Sequence, residues 1–394
     1  MSKIYRILLL FNANKIYDRQ IIEGVGNFIA ASQVEWEVYV EDDYLIDRSS
    51  IESWQGDGII ADLDDPEIVR ALENTKVPVI GVGSSYENVD DYPRFPYVAT
   101  DNHAIVRMAV DHLAQTGLSS LAFYGANPSE YNRWAKEREK AFISITKEKG
   151  YNNSVFRGFD TSSSNWQFCI NRVSDWIQQL PKPVGIVSVT DARARHIIQA
   201  CANMNILVPE QVAVIGIDND EIARSLNRIP LSSVAQDGNQ LGFVAARKLS
   251  HLLTEQLTEQ GDVAKLTSIG PLSLHERQSS DFRGVHHPLV MAALHYIRVN
   301  VNKGIKSYHV FDALNVSRSK LESLFKQELG TTVHDQIFRI RLKKACQLLK
   351  SKNKPIEEIA FLSGYPSTQY MYSVFAKNVG MTPKEYRQQQ LELA

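Results

Sequence analysis

The sequence predicts a doubly wound α/β module followed by an all-α module with two helix-turn-helix units. Three observations carry this. Over the first ~275 residues, short apolar runs alternate with helix-like segments. From Pro288 onward the pattern is helical to the end. Within that helical stretch one plan occurs twice, Ser317 to Phe325 aligning position for position with Ser367 to Phe375, an offset of 50 residues.

The elements follow in order. YRILLLFN reads as a buried strand, and Arg19 to Ala31 as a helix with Ile21, Ile22, Val25, Phe28 and Ile29 on one face. Then come VEWEVYVE, GDGIIADL, VPVIGVG, SLAFYGA, VGIVSV, VAVIGID and LSSVAQ, with helices such as Asn102–Thr116 and Trp134–Gly150 between them. Runs this β-rich, without polar alternation, suit a parallel sheet covered on both faces. The pattern lapses over residues 278–287, which read as a linker between an α/β part (1–277) and a helical part (288–394). Pro288 opens a helix, Leu289–Val301 continues it and Gly304 stops it. A short helix, a turn at Asn315–Val316 and a second helix capped by Ser317 come next, with Gly330 as the stop. Thr332–Lys350 is one longer helix. The plan then repeats with a turn at Gly364, a cap at Ser367 and a stop at Gly380. Thr382-Pro383-Lys384-Glu385 is a capping box, with Met381 and Tyr386 placed as a hydrophobic staple.

Composition narrows the class. The chain has 394 residues, 22% charged and 44% hydrophobic, too many for one ordinary core. No run has the apolar length of a membrane span, so no membrane partner is expected. MSKIYRILLLFNANK lacks a small-residue cleavage site and reads as a first strand rather than a signal peptide. Cys169, Cys201 and Cys346 are scattered and odd in number, against a disulfide framework or a metal site. These features point to the cytoplasm. From Leu289 onward there are 16 Lys and Arg against 8 Asp and Glu, a surplus of +8, so the rest carries −10 for a total of −2. A basic segment on an acidic body suggests a polyanion partner, although a solvated charged surface has the same composition.

Enzyme signatures are missing: no Walker loop, zinc spacing or nucleophile elbow. Gly81-Val82-Gly83 lacks the third glycine of a dinucleotide fingerprint, and Cys169 has no basic neighbours to lower its pKa. No enzyme activity and no cofactor are expected. A transport receptor would need an export signal.

Ligands of doubly wound sheets sit beyond the carboxyl ends of the strands. The residues there are Asn12, Asn14 and Tyr17, then Asp62, Arg133, Trp134 and Arg138, Trp166, Asp191, Asp218 and Gln236. Asp, Asn and Arg bond hydroxyls and aromatic rings pack on C–H faces, which is the chemistry of a sugar site. Other roles stay open at this point. Asp62 or Asp218 could cap a helix, Tyr17, Trp134 and Trp166 could be core residues, and Arg138 could pair with Glu137 at the surface.

The C-terminal tracts Ala345-Cys346-Gln347-Leu348-Leu349, Pro355-Ile356-Glu357-Glu358-Ile359-Ala360, Gly364-Tyr365, Phe375 and Thr382-Pro383-Lys384-Glu385-Tyr386-Arg387 resemble the AraC family of transcription regulators over roughly 287–387. The resemblance implies double-stranded DNA as partner. It implies base-facing Ser319, Glu322 and Ser323 in the first reading helix and Thr368, Gln369 and Ser373 in the second, with Tyr372 beside them. Many relatives have arginine where Ser323 and Ser373 stand. Lys320, Lys326 and Lys377 suit phosphates. The tracts Arg138-Glu139-Lys140-Ala141-Phe142, Val214-Ile215-Gly216-Ile217-Asp218-Asn219 and Ser232-Ser233-Val234-Ala235-Gln236 resemble the effector domain of LacI/GalR regulators, a two-lobed type I periplasmic-binding-protein fold, over about 4–276. That resemblance implies Arg138 and Asp218 on sugar hydroxyls and Gln236 at the hinge side of the cleft. Relatives often have Asn before Asp where Thr190-Asp191 stands, so Asp191 takes the acceptor role. LacI relatives carry their DNA-binding helices before this module, whereas this sequence opens on the first strand. The combination, with FNANK, YDRQ and the run from Thr190 to His196, resembles the xylose operon regulators as a family. It implies D-xylose as effector, activation of xylose genes with RNA polymerase as a partner, and a homodimer. The alternative is another pentose or small sugar.

Overall fold

The computed structural model describes residues 3–40, 51, 53–86, 88–227, 229–254, 266–285, 287–350 and 354–392. It divides into two compact units, Met1–Asp281 and Phe282–Ala394.

Among the described residues the first unit holds two six-stranded sheets. Sheet one contains β1 (Tyr5–Leu10), β2 (Trp36–Val40), β3 (Gly58–Asp62), β4 (Val79–Ser84), β5 (Tyr97–Thr100) and β11 (Leu266–Ile269), all parallel, in the order β11-β5-β4-β3-β1-β2. Sheet two contains β6 (Ser120–Ala126), β7 (Asn152–Gly158), β8 (Val184–Ser188), β9 (Val212–Ile217), β10 (Ser232–Gln236) and β12 (Pro271–His275), in the order β12-β10-β9-β8-β6-β7, with only β12 antiparallel. The chain passes between the sheets three times: from β5 to β6, from β10 to β11, and from β11 to β12 through Gly270. This is the two-lobed fold that the apolar runs and the resemblance predict.

Burial on both faces explains the continuous apolar runs. In β1, Ile7 and Leu9 face a core with helices α1 (Ile16–Ala31) and α8 (Gly238–Thr254), while Leu8 and Leu10 face another with α2 (Pro66–Leu72). In sheet two, Ala122, Tyr124, Ile186 and Val214 pack against α5 (Trp166–Gln179) and α6 (Asp191–Asn203). Among the described residues this unit also has helices α3 (Asn102–Gln115), α4 (Arg133–Glu148) and α7 (Glu221–Leu226).

The segment read as a linker is divided between the units. Gln278–Ser280 form a buried 3-10 turn on sheet two, where Ser279 Oγ accepts from Ser232 N at 2.8 Å and donates to Val214 O at 2.6 Å. Its polarity reflects these buried hydrogen bonds rather than solvation. Val285 already belongs to the helical core, and His286 lies outside the described residues.

The second unit has helices α9 (Pro288–Asn300), α10 (Ser307–Ala313), α11 (Arg318–Leu329), α12 (Val333–Leu349), α13 (Ile356–Leu362), α14 (Thr368–Asn378) and α15 (Pro383–Glu392). The repeat predicts its punctuation. Ser317 Oγ accepts from Lys320 N and Ser367 Oγ from Tyr370 N. Thr382 and Glu385 exchange capping bonds at 2.7 and 3.2 Å. Gly304, Gly330, Gly364 and Gly380 all take positive φ. Each repeat has its own core, one around Leu321 and Phe325, the other around Met371 and Phe375.

Helices α1 and α8 meet backbone to backbone. A Cβ added at Gly242 would fall on the carbonyl oxygen of Ile21, and one at Gly24 on that of Asn239. Gly26, in the same helix as Gly24, faces open space. Gly242→Ala is therefore expected to destabilise the protein by about 1–3 kcal/mol. Gly26→Ala stabilises by up to about 1 kcal/mol through helix propensity. Thermal unfolding of the two variants checks both signs.

Candidate functional site

A cavity of about 480 Å³ lies where the strand ends of the two lobes face each other. Lobe one contributes Lys15, Tyr17 and Asp18 after β1, Asp62, Asp64 and Asp65 at β3, Ser84 at β4 and Thr100 at β5. Asn102, at the first crossover, joins Trp134 and Arg138 of α4, Thr190 after β8, Asp218 after β9 and Gln236 at the end of β10.

Arg138 organises the lobe-two wall. It is 3% exposed. Its Nε donates to Asn102 Oδ1 at 2.8 Å and its Nη1 to Val189 O at 2.7 Å. Nη1 also lies 3.9 Å from Asp218 Oδ1, and the guanidinium sits 5.0 Å from the Trp134 ring centroid. Gln236 Nε2 donates to the same Asp218 oxygen at 2.7 Å. Burial pushes the Asp218 carboxyl up to about 6, against the opposing pull of Arg138. Arg138 is thus not a surface partner of Glu137, and Asp218 is not a cap. Asp220 caps α7. Likewise Asp65, not Asp62, caps α2.

The lobe-one wall is acidic. Asp18 and Asp62 are 1% and 5% exposed. Burial raises Asp18 to about 6 and lifts Asp62 well above the usual carboxylate range, the neighbouring Asp64 adding to the latter. Asp18 Oδ2 accepts from Asn12 N at 2.7 Å, while its buried Oδ1 has no hydrogen-bond partner among the described residues. Tyr17 Oη and Thr100 Oγ1 lie 2.6 Å apart. Residues outside the lining connect the lobes. Arg133 Nη2 donates to Asp64 Oδ1 at 2.6 Å and its guanidinium stacks 3.7 Å from the Tyr86 centroid. Glu137, pushed up by burial to about 7, accepts from Ser85 Oγ at 2.8 Å and Asn102 Nδ2 at 2.7 Å.

Of the expected ligand residues, the cavity lining gathers Tyr17, Asp62, Trp134, Arg138, Asp218 and Gln236. It leaves out Asn12, Asn14, Trp166 and Asp191. Asn12 Oδ1 accepts from Asn14 N at 3.0 Å in a local turn. Trp166 stands edge-on to His196, 5.0 Å between centroids, at the margin of a core. Asp191 is buried behind the cavity, accepting from Ser233 Oγ at 2.7 Å and Asp220 N at 2.8 Å. It thereby holds the turn that presents Asp218. The strand-end rule reads over Asp18, Asp64 and Asn102, because they sit in the first helical turn or two residues past the strand. The tandem Asp62-Leu63-Asp64-Asp65 is a signal that could have found Asp64, whereas nothing local marks Asp18 or Asn102.

In the helical unit Ser319, Lys320, Ser323 and Lys326 are exposed on α11, and Gln369, Ser373 and Lys377 on α14. Thr368 and Tyr372 are half-buried, the latter packed on the second core. Glu322 is half-buried and Ser373 Oγ donates to Tyr370 O. Glu322 Oε2 accepts from Val333 N at 3.2 Å, the first amide of the helix that Thr332 caps. Arg318 and Tyr370 are also exposed, on the leading turns of the same two helices.

Comparison with known proteins agrees with this architecture. Residues 6–103 match the XylR N-terminal domain, 110–280 a periplasmic binding protein-like domain and 310–389 a helix-turn-helix domain. The chain is 48% identical over 386 residues to the xylose operon regulatory protein of Escherichia coli K12, covering 98% of this chain and 97% of that one. It is 44% identical to that of Haemophilus influenzae, covering 98% and 99%. A solved structure described as the xylose-binding transcription activator xylR superposes with a TM-score of 0.86 at 47% identity, covering 98% of both chains. The chain belongs to the xylose operon regulatory protein family and is a sugar-responsive, DNA-binding transcription regulator.

Proposed function

We propose that this regulator binds D-xylose in the inter-lobe cavity and, so loaded, activates genes of xylose uptake and catabolism as a cytoplasmic homodimer working with RNA polymerase. The observation that carries the sugar reading is the facing pair of walls: Arg138, Asp218 and Gln236 on one side, Asp18 and Asp62 on the other. A pentose presents hydroxyls all round its ring, and each can donate to a carboxylate on one wall while accepting from Arg138, Gln236 or Lys15. The free Asp18 Oδ1 is an acceptor ready for such a hydroxyl. Trp134 offers a face for the ring C–H groups. Five aspartates against two cations in the lining favour a neutral sugar over a sugar acid or phosphate.

A ligand touching both walls favours the closed cleft, because it shifts an equilibrium only by its different affinity for two states. Arg133 with Asp64 and Ser85 with Glu137 are the protein's own closure contacts. In a dimer, rotation of one lobe against the other re-spaces the two DNA readers.

Three outcomes test this. Asp218→Asn keeps the shape and removes the charge, losing roughly 1.5–3 kcal/mol per sugar hydroxyl bond. Calorimetry with D-xylose, L-arabinose and D-ribose reads it out, and wild-type affinity in the variant sinks the assignment. Xylose affinity also falls with acid. The bound form uses ionised Asp218, whose carboxyl in the free protein titrates near 6. Titrations at neutral pH and one unit below that value therefore differ by about tenfold; a flat profile means that Asp218 is not an acceptor. Finally, D-xylose strengthens binding to a paired operator much more than to a single half-site, measured by fluorescence anisotropy at one fixed salt concentration. Equal gains on both would rule out re-spacing.

A further inference from the structure

Helix α12 carries the first repeat at one end and the second at the other. Ile337 and Ile340 are buried in the first core, and Ala345 and Leu349 in the second. Arg341 sits at the waist between them, half-buried. Its Nη2 donates to Ile305 O at 3.2 Å, on the segment that launches α10. Its guanidinium lies 5.7 Å from the centroid of the Tyr365 ring, in the turn that launches reading helix α14. One residue earlier in that turn, Gly364 has φ 78°. A Cβ there would fall on the carbonyl oxygen of Val301 and come 3.3 Å from the Cα of Asn302. Val301 is itself fully buried in the first core. The turn of the second helix-turn-helix is therefore seated on the backbone that precedes the first, with no side chain between.

We propose that Gly364 and Arg341 form a clamp that fixes the two reading helices relative to each other, so that the protein accepts one spacing of its two major-groove contacts. A single helix such as α12 is a compliant joint, because a small bend or twist at its middle moves both ends. Two further attachments at 301–305, one backbone seat and one bridging guanidinium, remove that freedom. Inserting one base pair between the two groove contacts rotates them by about 35° and separates them by about 3.4 Å. A clamped reader cannot follow both contacts across that change, whereas a jointed reader can.

The test uses the full-length chain with D-xylose and a library of duplexes randomised over a 30-base-pair window (about three helical turns). Wild type, R341A and G364A are selected in parallel, and thermal unfolding verifies that each is folded. The wild type is expected to enrich two sequence blocks at one spacing. R341A and G364A are expected to enrich the same two blocks at several spacings. Independently of the variants, inserting one base pair between the blocks weakens wild-type binding by about tenfold or more. R341A loses only a few-fold on the same insertion. Wild-type tolerance of the insertion, or a single spacing retained by a folded R341A, overturns the clamp. So does enrichment of one block alone, since nothing then needs its spacing fixed. Failure to enrich any sequence would instead strike at DNA reading by these helices.

Discussion

A guanidinium does not give up its proton inside a protein, so burying Arg138 at 3% exposure obliges the surrounding chain to satisfy it. The partners that do so come from three places: the first crossover at Asn102, the end of β8 at Val189 and the turn after β9 at Asp218. Each of these is a strand end or a hinge segment, the part of a doubly wound lobe where backbone and side-chain polarity is not already consumed by the sheet. One buried cation thereby ties the crossover to the wall of the cavity. Asp191 extends the arrangement one layer back through Ser233 and the Asp220 amide. Gly216 belongs to it too, because a Cβ there would fall on the Asp191 carboxylate.

The opposite wall has the reverse problem. Asp18, Asp62 and Asp64 crowd together with little solvent, and burial holds the first two above their ordinary range. Carboxyls in such a setting gain from hydroxyl donors, which supply hydrogen bonds without bringing further charge. The cavity is thus cationic-centred on one side and acceptor-rich on the other. That asymmetry discriminates among polyols, because a sugar of the wrong configuration leaves a buried group unpaired.

The helical unit solves a different problem with the same economy. Two small cores, neither large, share one long helix. Glycines at the turns allow backbone segments to touch directly, and serine caps fix where each reading helix starts. Side chains support the same joints: Thr332 caps α12, and the Glu322 carboxylate accepts from the Val333 amide at its start.

The two-part division, the doubly wound sheets, the repeat and the Ser317, Ser367 and Thr382 caps are legible in the sequence, because those depend on local periodicity and on the conformational preferences of Gly, Pro, Ser and Thr. The sequence also placed Arg138, Asp218, Gln236 and Trp134 near one another, since strand ends of a parallel sheet converge whatever the details. Packing settles the rest: residues 278–281 are buried rather than free, Trp166 lies at a core margin, and Asp191 supports the site from behind. Packing also brings Asp18, Asp64 and Asn102 into the lining and sets Gly364 against Val301 across the two repeats. These depend on which surfaces meet over long separations in the chain. A one-dimensional pattern records the polarity of a residue but not whether a distant hydroxyl, carboxylate or carbonyl arrives to satisfy it.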